Sequence, residues 1–178
     1  DLDKIYPVEF KAAQNEAWQA TLGEIDNKKI DDRINSALQK EKKWVLIGGP
    51  PCQAYSLVGR SRNQGIKPDD HRLYLYKEYL RIIAKHNPPF FIMENVKGLL
   101  SASIENKSIF EQMRKDFKHP ASIFDDIKND SKYTIYPLTT NDFNKDLAGD
   151  YILNPTDFII KSELYGIPQK RHRVILLG

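Results

Sequence analysis

Trp44-Val45-Leu46-Ile47-Gly48-Gly49-Pro50-Pro51-Cys52-Gln53-Ala54-Tyr55-Ser56 is the stretch whose reading decides the fold. Four apolar residues, Trp44 to Ile47, two of them β-branched, suit a short strand covered on both faces of a parallel sheet. Gly48 and Gly49 allow a tight turn or a close approach of the backbone to a ligand. Pro50 and Pro51 stiffen the loop and push the residues before them out of the helical region. The next residue, Cys52, is the single cysteine of the chain. A thiol held just past the carboxyl end of a strand sits where open α/β sheets bind their ligands, so Cys52 is a candidate nucleophile.

Working outward, the pattern alternates helix and strand. Pro7 to Leu22 reads as a helix with Phe10, Ala13, Ala17 and Ala20 on one side and Gly23 as its stop. Asp26 to Lys40 reads as a second, with Ile30, Ile34 and Leu38 facing inward. After the glycine-proline turn, Leu57 to Asp70 is polar and without period, the pattern of a mobile functional loop or of a disordered segment. His71 to His86 reads as a helix presenting Leu73, Tyr76, Leu80 and Ile83, and Phe90 to Met93 as a second buried strand ending on Glu94-Asn95. A helix over Lys107 to Phe117, a short one over Ala121 to Lys128, and strands at Tyr133 to Leu138, Phe158 to Ile160 and Val174 to Leu177 complete the series. The expectation is an α/β fold with a mostly parallel sheet and antiparallel pairing at its final edge.

Composition narrows the function classes. The chain has 178 residues, enough for one domain, with 40% hydrophobic, 29% charged and 11% aromatic residues, as in globular proteins. No apolar run approaches a membrane span, and no secretory signal opens the chain, so no membrane partner is expected. One cysteine excludes an internal disulfide and fits a reducing cytoplasm, the expected location. The net charge of +3 permits a nucleic-acid partner without demanding one. The four histidines, His71, His86, His119 and His172, have no metal-ligand spacing with the cysteine, so no metal is expected. The chain opens without a strand before its first helix and stops directly after a strong strand pattern, which suggests a piece of a longer polypeptide, truncated at both ends.

Three polar clusters follow strands: Pro50-Pro51-Cys52-Gln53, Glu94-Asn95, and Gln169-Lys170-Arg171-His172-Arg173. If the strands before Cys52 and Glu94 are neighbours joined by the intervening helix, a thiol and a carboxylate line one rim as nucleophile and general acid. The arginines offer bidentate donors for a phosphate or a base edge. Each cluster also has a plainer reading: a small buried hydrophobe for the cysteine, a solvated strand end for Glu94, a basic surface loop for the last. The rigid Gly-Gly-Pro-Pro lead-in favours chemistry at Cys52, because a packed structural cysteine does not need it.

The stretch from Gly49 to Ser56 resembles the nucleophile motif of the C5-cytosine DNA methyltransferases; Met93-Glu94-Asn95-Val96 resembles their Glu-Asn-Val motif, and Tyr165 to Arg173 their Gln-x-Arg-x-Arg motif. Asp70 to Tyr76 is similar to the segment that opens the helix between the first two. The motifs come in the family's order at its usual separations and span residues 44 to 178. The resemblance implies a Rossmann-like, S-adenosylmethionine-dependent fold and methylation of C5 of a cytosine flipped out of double-stranded DNA, as in restriction-modification systems. It implies that Cys52 attacks C6, that Glu94 bonds N3 and the exocyclic amine, and that Arg173 binds O2. Arg171 would hold the nucleophile loop and a phosphate, Asn95 would brace the Glu94 loop, and Gln53 and Ser56 would approach the DNA backbone. Pro50, Pro51 and Gln169 would also contact substrate, Pro51 the cofactor as well, and Leu57 to Asp70 would be the loop that closes over DNA.

The departures are as informative. The family's glycine-rich first motif is absent, as are the target-recognition region and the last two motifs. The acidic residue for the cofactor ribose has no clear match, since Glu9 and Glu16 fall in a helix. Leu22-Gly23-Glu24-Ile25 is only loosely similar to the adenine-contacting segment, and a plain helix stop is the simpler reading. Residues 1–178 are therefore expected to be part of a catalytic domain, with weak cofactor binding and little turnover by themselves. Methylation of transfer-RNA cytosine is the alternative within enzymes, because the Pro-Cys-Gln run is common to both branches. A non-catalytic nucleic-acid-binding relative is the alternative outside them, opposed by the joint presence of Cys52, Glu94, Arg171 and Arg173.

Overall fold

A computed structural model describes residues 1–51, 75–139, 144–145 and 151–178. Cys52, Gln53 and Ser56, the loop from Leu57 to Asp70 and the first residues of the helix expected from His71 lie outside them. The helices are α1 (Leu2–Ile5), α2 (Pro7–Glu16), α3 (Asn27–Leu38), α4 (Tyr76–His86) and α5 (Ile109–Lys118). The main strands are β1 (Val45–Gly48), β2 (Phe90–Val96), β7 (Ile159–Lys161) and β8 (His172–Leu177). Two-residue ladders, β3 (Ser103–Ile104) with β4 (Lys107–Ser108) and β5 (Asn144–Lys145) with β6 (Tyr151–Ile152), lie between them.

The four main strands form one sheet in the order β1-β2-β8-β7. β1 pairs with β2 in parallel, whereas β8 is antiparallel to both β2 and β7. Three strands therefore point one way and β8 alone runs back between β2 and β7. The cause is connection length: α4 lies between β1 and β2, as a parallel pair requires, while only residues 162–171 link β7 to β8. The β1–α4–β2 unit is the Rossmann-like part of this α/β sheet.

The core is built on one face of the sheet. Phe91 and Met93 of β2 and Val174 and Leu176 of β8 are fully buried against Tyr79, Leu80 and Ile83 of α4 and Phe110, Met113 and Phe117 of α5. Both helices carry apolar residues at helical spacing, and α5 starts where Ser108 accepts a bond from the Glu111 amide at 3.3 Å. Phe91 anchors an aromatic cluster, with Phe117 and Tyr133 rings 5.2 and 5.1 Å away. The alternate residues point to the other face, where Ile47 keeps 72% exposure and Phe90 57%. The expectation that β1 is covered on both faces is thus corrected: β1 is the edge strand of the described sheet, with α4 against one face.

Several boundaries move. The helix expected to run to Leu22 stops at Glu16, buries none of its residues, and leaves Gly23 at φ +87° in a turn rather than at a helix end. Helix α3 is capped by Asp26, whose side chain accepts from the Lys28 amide at 2.9 Å, and it buries Ile30. The helix expected over Ala121 to Lys128 is one 3-10 turn, Pro120–Ile123. The strand expected over Tyr133 to Leu138 shrinks to one antiparallel bridge, Tyr136 to Leu177.

Candidate active site

Parallel pairing of β1 with β2 brings their carboxyl ends to one rim, with Gly48 opposite Met93. β8 enters the sheet at the same rim because it runs the other way, which sets Arg173 opposite Val96 and Ile175 opposite Glu94. Glu94 and Arg173 therefore share the open face as a diagonal cross-strand pair. Their side chains meet, Arg173 Nε donating to Glu94 Oε1 at 2.6 Å, and Arg173 Nη1 donates to the His172 carbonyl at 2.9 Å. Glu94 retains 42% side-chain exposure and Arg173 25%, so both face solvent and remain reachable by a ligand.

Asn95 points to the covered face and is 2% exposed. Its Nδ2 donates to the Pro50 carbonyl at 3.3 Å, and its Oδ1 accepts from the Val96 amide at 2.9 Å. One buried amide thus ties the end of β2 to the loop that leads to Cys52. Gly49 completes the junction: a Cβ there would lie 3.1 Å from Glu94 Oε2. Gly48 has a different reason to lack a side chain, since a Cβ would come within 2.4 Å of the Tyr79 ring. The Tyr79 hydroxyl lies 3.1 Å from the Leu46 carbonyl and 3.0 Å from that of Ile92, bridging β1 and β2. Burial pushes the Tyr79 phenol above its usual range, so it stays a neutral donor.

The third cluster lies on the loop between β7 and β8. Ser162 Oγ is 2.6 Å from the Gln169 carbonyl and 2.9 Å from that of Arg171, and it accepts from the Arg171 amide at 3.0 Å. His172 Nε2 lies 2.7 Å from Glu163 Oε1, and this bond is the main cause that holds the Glu163 carboxyl below its usual range. The Gln169 and Arg171 side chains are exposed. The structure thus joins Glu94, Asn95, Pro50 and Arg173 at one rim. Ser162, Tyr79 and Glu78 carry no motif signal in the sequence; their parts emerge only from pairings across the chain.

A cavity of about 500 Å³ opens at the end of β1. Thr21 and Leu22 form one wall, Gly48 to Pro51 another, and Glu78, Tyr79 and Ile82 of α4 the third. The turn at Gly23 presents that first wall, its Glu24 and Ile25 amides both bonding the Thr21 carbonyl. The φ of +87° at Gly23 favours glycine there, and an ideal Cβ would lie in ordinary contact with Glu78, 3.5 Å from its carboxyl carbon. An apolar cleft at a strand's carboxyl end, with a hydroxyl and one carboxylate on its walls, fits the donor set of a nucleoside-bearing cofactor such as S-adenosylmethionine. Among the described residues no group of three or more His, Cys, Asp or Glu side chains is placed to hold a metal, and no helix is long and apolar enough to cross a membrane.

The family model described as C-5 cytosine-specific DNA methylase matches residues 3–120. Relatives include the type II methyltransferase M.Bpa9945I of Bacillus paralicheniformis, 36% identical over 75% of this chain and 24% of its own length. M.AquIA of Picosynechococcus is 33% identical over 75% of this chain and 42% of its own. The DNA (cytosine-5-)-methyltransferase M.ApeKI of Aeropyrum pernix is 31% identical over 92% of this chain and 32% of its own. The chain spans less than half the length of each of these relatives.

Proposed function

We propose that this chain, which belongs to the C-5 cytosine-specific DNA methylase family, is part of the catalytic domain of a DNA cytosine-5 methyltransferase. The observation that carries the reading is the rim itself: Glu94 bonded to Arg173, one residue from an asparagine that tethers the loop leading to Cys52. The Cys52 thiolate adds to C6 of an extrahelical cytosine and breaks the C5–C6 double bond. Glu94 bonds N3 and the exocyclic amine and supplies the proton that lets charge build in the ring, while Arg173 bonds O2. Arg171, Gln169, Gln53 and Ser56 engage the DNA backbone, and Pro50 shapes the pocket wall. S-adenosylmethionine, when bound, supplies the methyl group that C5 takes up; Pro51, Leu22, Thr21 and Glu78 are the residues that would hold it. Loss of the C5 proton to solvent water then re-forms the C5–C6 double bond and expels Cys52 as thiolate.

The names of the relatives support DNA over RNA as substrate, and their type II designations support a role in restriction-modification, in the cytoplasm. Duplex DNA carrying 5-fluorocytosine tests the reading, because fluorine at C5 cannot leave as a proton does. A denaturation-resistant adduct is expected with the full-length protein and the methyl donor, and none after Cys52→Ser. An adduct that survives Cys52→Ser, or transfer to transfer RNA in place of DNA, overturns it.

A further inference from the structure

The hydrogen bonds of Ser162 lie one step beyond the last rung of a ladder. β7 and β8 pair from Ile159 with Val174 to Lys161 with His172, and there the regular register ends. The Ser162 amide donates to the Arg171 carbonyl at 3.1 Å, and its hydroxyl fills the gap where a further rung would stand. That oxygen accepts from the Arg171 amide and has one proton to share between the Gln169 and Arg171 carbonyls. Residues 163–170 are thereby pinched into a closed loop, with Gly166 at φ +76° in its reversal and the Ile167 amide 3.4 Å from the Ser162 carbonyl. No residue from 163 to 171 is buried, so packing contributes little to holding this loop in shape.

We propose that Ser162 is a positioning residue for DNA, its hydroxyl setting the loop end from which Gln169 and Arg171 reach the substrate. The proposal rests on the DNA-methyltransferase reading and deepens it. Arg173 is fixed by its own rungs to Val96 and Ile160, whereas Arg171 lies one residue before β8, so the bonds of Ser162 set how Arg171 and the preceding Gln169 leave the sheet. The neighbouring Glu163–His172 pair closes the loop from its other side, at 2.7 Å. Without the hydroxyl, the loop samples more conformers, and apparent DNA affinity falls by the fraction that remain competent. The core, which draws nothing from residues 163–171, is unaffected.

DNA affinity by fluorescence anisotropy, methyl-donor affinity by calorimetry and Tm separate this role from a structural one in Ser162→Ala and Ser162→Thr. Ser162→Ala is expected to weaken DNA binding roughly 3- to 10-fold, the scale of one or two lost hydrogen bonds, with donor affinity and Tm unchanged. Ser162→Thr, which keeps the hydroxyl, is expected to restore it. Equal DNA affinity of the alanine variant and the unaltered protein overturns the proposal, as does a parallel fall in DNA affinity, donor affinity and Tm. All variants are made in the full-length protein; absence of DNA binding by that protein unaltered instead overturns the functional reading, so the two failures are distinguishable.

Discussion

The two faces of the sheet do different work. The face toward α4 and α5 holds Phe91, Met93, Val174 and Leu176 with no exposed surface, and the one polar side chain β2 adds there, Asn95, has both ends of its amide bonded. The opposite face carries Phe90, Ile47, Glu94 and Arg173, all open to solvent to some degree. Successive residues of a strand alternate between these environments, so burial and solvent access are separated by a single step along the chain. A charge pair that must bind a ligand cannot sit in a dry core without a large desolvation cost. The rim can hold Glu94 and Arg173 because the packing beneath them is done by their neighbours.

Two adjacent phenylalanines give the sharpest way to break this comparison. Phe91→Ala is expected to cost about 3–5 kcal/mol, from lost burial and an unfilled cavity, and Phe90→Ala less than about 0.5 kcal/mol. Chemical denaturation of the two variants measures both, and equal losses would erase the distinction between the faces.

The next largest effect concerns how α3 is held to α4. Asp31 accepts from Arg81 Nη2 at 2.9 Å and lies 2.8 Å from His86 Nε2, with side-chain exposures of 16, 10 and 6%. Burial raises the Asp31 carboxyl, but its bonds to Arg81 and His86 outweigh that and leave it below the ordinary value. A depressed folded-state value means that this contribution is present above the unfolded value and is lost as pH falls through the folded one. Asp31→Asn is expected to cost about 2–3 kcal/mol at pH 7, less than a fully buried pair, and to reduce the fall in Tm on acidification below about pH 4. Melting curves between neutral and acid pH check both; an unchanged acid slope would remove Asp31 from the account.

Gly48→Ala follows, at about 1–3 kcal/mol, because the new methyl group meets the Tyr79 ring, which two strand carbonyls hold in place. Gly48→Ala combined with Tyr79→Phe is expected to lose less than the sum of the two single variants. Strict additivity in that cycle would show that the glycine and the ring are not coupled.

Much of this was legible along the chain. The helical spacing of Leu80 and Ile83, the helix from about Asp26 and the strand over Phe90 to Met93 all read correctly as local patterns, since side-chain period acts within a few residues. The helix beyond Glu16 failed, because the alanine stripe that suggests it meets no described partner and the intrinsic preference for helix is weak. Tyr133 to Leu138 failed for the opposite reason: Tyr133 and Ile135 pack on the core, but pairing is confined to the one bridge at Tyr136.

Sequence alone determined the α/β class and the helix–strand order, because alternation and glycine-proline turns are properties of the chain itself. Tertiary structure decided which face is open, that β8 returns between β2 and β7 to set Arg173 against Glu94, and that Asn95 and Ser162 hold the loops on either side. Those pairings join residues 45 to 79 positions apart for the rim, and nine for the Ser162 bond to Arg171. No local preference encodes such contacts; the register of β1, β2 and β8 does.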